Sequence, residues 1–104
     1  MRAEFHKTSL FLADYAGRTT FIAEVNPDIA DRFCEAIERA LHLISQHPHI
    51  GALAGFQHAP TVRKWVVREF PNYIIFYEVR AEGVALIRLL HGAQHLAPLI
   101  PTPS

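Results

Sequence analysis

The chain has 104 residues, 50% of them hydrophobic and 19% charged, with ten basic residues balanced by ten acidic ones and a pI near 7.1. This composition excludes a disordered chain and removes any global electrostatic reason to sit on nucleic acid or an anionic membrane. The length suits a single domain, residues 1–104, built on one core. The one cysteine, Cys34, has no internal disulfide partner. The sequence offers neither an apolar run of membrane-spanning length nor a signal-peptide core, so a soluble cytoplasmic domain is expected.

Taken in order, Arg2 to Lys7 alternates briefly, with Ala3, Phe5 and Lys7 on one side, and reads as a short edge strand. Thr8-Ser9 then offers an N-cap to a helix in which Phe11, Leu12, Tyr15, Thr19 and Ile22 fall at roughly helical spacing. Gly17 and the Thr19-Thr20 pair lower helix propensity, so this helix is expected to bend or fray. A second helix follows almost at once. Asn26 suits its N-cap, Pro27 its first position and Asp28 the positive end of its dipole. Ile29, Phe33, Ile37, Ala40, Leu41 and Ile44 form one apolar stripe along it, and His47-Pro48 ends it. The short connection predicts an antiparallel helical hairpin.

Residues 48–61 read as a loop, broken by Gly51, Gly55 and Pro60. Three β-branched and aromatic runs follow: 62–68, 73–80 and 84–91, cut by Phe70-Pro71-Asn72 and Ala81-Glu82-Gly83. Short connections between such runs predict an antiparallel meander. In the first, Arg63, Trp65 and Val67 share a face. The second, Tyr73 to Arg80, is apolar on both faces for five residues and reads as a central strand covered on each side. Arg88 interrupts the third, and a charge there needs a partner or solvent. Residues 97–104, with three prolines, read as an irregular tail. The fold class is α+β, in the order β-α-α-β-β-β: an N-terminal strand, then a two-helix hairpin packed on a twisted antiparallel sheet. Ile75 or Phe76 should meet the Phe33/Ile37/Leu41 stripe.

Several segments together, in this order and spacing, carry a resemblance. They are NPDIADRF, Pro48 with Gly51, Arg63, Phe70-Pro71, Tyr73, Phe76-Tyr77 and His91-Gly92-Ala93. From about Phe11 to Leu96 the chain resembles the RelE/ParE family of type II toxin–antitoxin toxins, including those of the plasmid-stabilisation type. The resemblance implies a small bacterial toxin neutralised by a cognate antitoxin. RelE-like members cut messenger RNA on the ribosome with basic and often tyrosine side chains, whereas ParE-like members inhibit DNA gyrase without such a set. Where the family usually places arginine after His91-Gly92-Ala93, this chain has Gln94 and then His95, and no tyrosine follows Tyr77. Glutamine offers hydrogen bonds but no permanent charge for a phosphate. The ParE-like reading is therefore preferred: a non-enzymatic gyrase inhibitor with no catalytic residues. The alternatives are a ribosome-dependent endoribonuclease and an antitoxin-binding homologue that has lost toxicity.

Five of the ten basic residues lie in the meander: Arg63, Lys64, Arg68, Arg80 and Arg88. For Arg63, which matches a family position, a patch for an acidic antitoxin segment or target and a charge that keeps a sheet edge soluble weigh about evenly; for the other four the solubility role is preferred. Arg63, Trp65, Arg88, His91, Gln94 and His95 are the candidate contacts for target or antitoxin. The expected antitoxin is ParD-like, with a DNA-binding N-terminal half and a segment that folds on binding; this chain itself is not expected to bind DNA or membrane. His47-x-His49 and His91-x-x-x-His95 have ligand-like spacings, but no metal or other cofactor is expected, because Cys34 has no spaced thiol and the first pair flanks a proline.

Overall fold

The computed structural model describes residues 3–102. Its elements are β1 (Phe5–Lys7), α1 (Ser9–Val25), α2 (Pro27–Gln46), β2 (Ala52–Leu53), β3 (Val62–Val66), β4 (Tyr73–Arg80) and β5 (Gly83–His91), then a 3₁₀ turn at Ala97–Leu99. The strands form one sheet in the order β1-β5-β4-β3-β2. The α+β arrangement read from the sequence is the one observed, with β4 at the centre and the meander β3-β4-β5 antiparallel. Two details differ. The sheet is mixed, because β1 lies parallel to β5 along the edge. The 48–61 loop contributes β2, a two-residue strand antiparallel to β3. Arg2, at the start of the predicted first strand, and Pro103-Ser104, at the end of the predicted tail, lie outside the described residues.

The hairpin turns on a single residue. The Asn26 N–H donates to the Ile22 carbonyl and closes α1, while its side-chain oxygen accepts from the Asp28 and Ile29 N–H groups and opens α2. Both helix ends thereby satisfy backbone groups that would otherwise be orphaned. At the other end of α1, the Thr8 hydroxyl accepts from the Phe11 N–H at 3.2 Å. Helix α1 runs unbroken through Gly17, contrary to the bend expected there. A Cβ added at Gly17 would meet nothing within 4 Å. Gly17→Ala should therefore stabilise the fold by about 0.5–1 kcal/mol, since alanine loses less entropy in a helix. A lower midpoint in urea denaturation would contradict that.

The sheet has two covered faces, as the doubly apolar β4 requires. Phe33, Ile37, Leu41 and Ile44 of α2 and Phe11 of α1 pack on Ile75, Tyr77, Val84, Leu86 and Leu89. The residue meeting the α2 stripe is thus Ile75. Phe76 lies in the opposite core with Val62, Ala85, Ile87, Leu90 and Ile100, under Phe56 and Leu99. The tail is accordingly not just irregular: its 3₁₀ turn and buried Ile100 help close that second face. Two members of the predicted helical stripes are out of the core, Leu12 at 49% and Ile29 at 40% exposure.

A bulge in β5 decides where its side chains point. Phe76 pairs with Arg88 but Tyr77 pairs with Leu86, leaving Ile87 without a partner in register. Val84 and Leu86 face the helices, and after the bulge it is Leu89, not Arg88, that rejoins them.

Candidate functional site

Beyond the end of β1, the edge of β5 is no longer paired to a strand, and α1 supplies its partners. The Thr8 N–H donates to the Leu86 carbonyl and the Thr8 hydroxyl to the Ile87 carbonyl. Six residues further along, in α1, Asp14 accepts the Leu89 N–H at 3.1 Å. The same carboxylate grips Arg88, which donates from Nε at 2.9 Å and from a terminal nitrogen at 2.6 Å. Both side chains are mostly buried, at 17% and 14% exposure for Arg88 and Asp14. The other terminal nitrogen of Arg88 donates to the Leu99 carbonyl and fixes the 3₁₀ turn. Arg88 thus has the partner that its place in an apolar strand demanded. The hydrogen bonds that Arg88 donates to Asp14 hold the Arg88 pKa above the usual guanidinium value, although burial pulls the other way.

Next to this pair opens a cavity of about 380 Å³, lined among others by Asp14, Gly17, Arg18, Arg88, His91 and Gln94. Arg18, one turn after Asp14 on α1, holds its guanidinium carbon 5.4 Å from the Tyr73 ring centre and 5.3 Å from that of Phe21. A cation–π contact of this kind holds a guanidinium over the rings without using its N–H groups as hydrogen-bond donors to a polar partner. Tyr73 in turn lies edge-on to the His91 ring at 5.1 Å. The turn after β5 is built from its own side chains. Gln94 accepts the His91 N–H through Oε1, and His91 Nδ1 accepts the Ala93 N–H, both at 3.1 Å. An accepting Nδ1 places the proton of the neutral ring on Nε2.

Three of the six predicted contacts, Arg88, His91 and Gln94, line this one cavity. His95 is exposed on the loop just after it. Arg63 and Trp65 are elsewhere. Arg63 donates to the Gly51 carbonyl at 2.7 Å, beside Tyr77, whose hydroxyl donates to the Pro48 carbonyl and accepts the Gly51 N–H. Burial pushes the Tyr77 phenol pKa up, against the Gly51 N–H and Arg63, which lower it. These bonds tie the 48–51 loop to the sheet. Trp65 lies along a separate groove of about 770 Å³ between α2 and the end of β3, with Arg39, His42, Arg68 and Glu69.

Of the five meander cations, Arg63, Arg80 and Arg88 are held within the fold, by Gly51, Glu78 and Asp14. Sequence reasoning missed Asp14, Arg18 and Tyr73. A signal existed: Phe11, Asp14, Arg18 and Ile22 fall on one helical face, so a carboxylate and a cation stood on the side of α1 turned towards the sheet. Among the described residues no group of three His, Cys, Asp or Glu side chains is arranged to hold a metal ion, and no helix is long and apolar enough to cross a membrane.

Compared with curated proteins, the chain has no significant match. A family match, by contrast, covers residues 7–96, from β1 to just before the 3₁₀ turn. That family is described as the ParE toxin of the type II toxin-antitoxin system parDE, and the chain belongs to it.

Proposed function

We propose that this chain is a non-enzymatic toxin that inhibits DNA gyrase in the cytoplasm and is neutralised by a ParD-like antitoxin. Membership of a type II family implies the antitoxin partner. The observation that carries the finer reading is the use made of Arg88 and Gln94. An RNA-cleaving site needs a preorganised charge on the scissile phosphate and groups that move protons. Here Arg88 is spent on Asp14, and Gln94 occupies the position of the family arginine while capping the turn that follows β5. Arg63 is likewise held on a loop carbonyl. Arg63 and Arg88, two of the charges that could have gripped RNA, are engaged in holding the fold, which favours an activity exerted by a bound surface.

Inducing the chain alone in bacteria tests this. DNA damage and filamentation, abolished by co-expressing the antitoxin encoded beside it, is the expected result. A rapid halt of translation with cut messages would replace this reading by an endoribonuclease, and no effect would mark a homologue that has lost toxicity.

A further inference from the structure

The cavity beside the Asp14–Arg88 pair has a chemistry of its own. Its lining carries Arg18, which among the described residues makes no ion pair or side-chain hydrogen bond and is held only by the faces of Tyr73 and Phe21. His91 uses Nδ1 within the turn and keeps its Nε2–H. Gln94 uses Oε1 within the turn and keeps its amide NH₂. Apart from the Asp14 carboxylate, which is taken up by Arg88 and the Leu89 N–H, the polar side-chain groups left over are donors: a guanidinium, an imidazole N–H and an amide. The matching ligand is acceptor-only, and an ionised carboxylate is the protein side chain that accepts without donating.

Charge selects between a carboxylate and a phosphate. Arg88 is neutralised by Asp14 within the same lining, so the cavity offers the charge of Arg18 alone, and it offers it beside a fixed carboxylate. One negative charge balances that site, whereas a dianionic phosphate would leave an excess facing Asp14. Exposed Phe21, at 57%, adds an apolar flank to the opening.

We infer that this cavity, formed by Arg18, His91 and Gln94 over Tyr73 and Phe21, is a receptor for a single Asp or Glu side chain of a protein partner. The guanidinium, pre-oriented on two rings, gives the carboxylate a bidentate, charge-assisted pair, and His91 and Gln94 add directional bonds. Phe21 packs on the apolar residues flanking that acid. Naming the antitoxin as the partner rests on the toxin–antitoxin reading; the chemistry of the cavity does not.

Two titrations test the receptor on the full chain. In the first, N-acetyl-glutamate-N-methylamide, its glutamine counterpart and inorganic phosphate are added separately while the Arg18 Nε–H and His91 ring signals are followed by NMR. The glutamate probe should shift both signals to saturation and the glutamine probe should not. Arg18→Gln should weaken the glutamate probe by about tenfold or more, the scale of a lost hydrogen bond to a charged group. Gln94→Glu keeps an oxygen for the His91 N–H but adds a negative charge, and should weaken it comparably even if Arg18→Gln folds poorly. Equal response to the glutamine probe, or unchanged binding in Gln94→Glu, overturns the receptor. Tighter binding of phosphate overturns it in favour of a nucleic-acid backbone.

In the second, the C-terminal half of the neighbouring antitoxin is titrated onto wild type and Arg18→Gln. A loss of about tenfold or more is expected. Equal affinity would overturn this assignment while leaving the antitoxin partnership intact. Failure of the wild type to bind would contradict the partnership, and the glutamate probe would still decide the cavity.

Discussion

Phe33→Ala should destabilise the chain by about 3–5 kcal/mol, the largest loss expected from any single truncation in α2. Phe33 is fully buried, and three aromatic rings converge on it edge-on: Tyr73 at 5.1 Å, Phe70 at 5.3 Å and Tyr15 at 6.3 Å. These come from α1, from the β3–β4 connection and from β4, so the ring joins every layer on the helix side of the sheet. Truncation removes the transfer free energy of the ring and leaves a void that four separate segments would have to close. Urea denaturation measures the loss, with an unchanged slope showing that the same surface is still exposed on unfolding. A loss below about 0.5 kcal/mol, the range of ordinary surface changes, would contradict the packing of α2 on the sheet. Because Tyr73 also lies against the Arg18 guanidinium, the same variant should loosen the support of Arg18.

Arg88→Met and Asp14→Leu should each cost about 2–3 kcal/mol, and together they should cost clearly less than the sum. Breaking a buried ion pair leaves the surviving charge uncompensated, at roughly 3–5 kcal/mol when burial is complete. Here both groups keep some solvent access, at 17% and 14%, so the lower figure applies. Asp14→Leu also removes the acceptor of the Leu89 N–H, and Arg88→Met releases the Leu99 carbonyl. The double variant buries no lone charge, so the double-mutant cycle should return a coupling of at least about 1 kcal/mol. Strict additivity would show that the pair is a surface contact without energetic weight.

How much of this was legible in the chain depends on the range of the physics involved. Local signals were read correctly. Asn26-Pro27-Asp28 marked the hairpin corner, and the periodicity of Phe33, Ile37, Ala40, Leu41 and Ile44 marked the buried face of α2. The doubly apolar run in β4 marked the centre of the sheet. Periodicity predicts a face and not the extent of the layer beneath it, which is why Ile29, at the hairpin tip beside exposed Val25, was placed in the core and is not.

The site was less legible, because it depends on a register that alternation cannot encode. A strict two-residue period would have put Arg88 on the helix face with Val84 and Leu86. The bulge at Ile87 hands that place to Leu89 and sends Arg88 to the rim, where Asp14 meets it. The parallel pairing of β1 with β5 is similarly non-local, since only the return of the chain through α1 and α2 brings Phe5 beside Val84. Gln94 stood out in the sequence as a missing charge. What could not be read is that its side-chain oxygen is used on the His91 N–H, leaving a donor behind.

The central claim is that a fold whose Arg63, Arg88 and Gln94 hold structure acts on its target by binding and not by cutting RNA. Incubating the purified chain with gyrase and relaxed plasmid, and in parallel with translating ribosomes, tests it most directly. Inhibition of supercoiling, relieved by prior addition of the antitoxin, with messages left intact for both wild type and Gln94→Arg, is the predicted result. Supercoiling unaffected, together with message cleavage that Arg63→Ala abolishes, would contradict it.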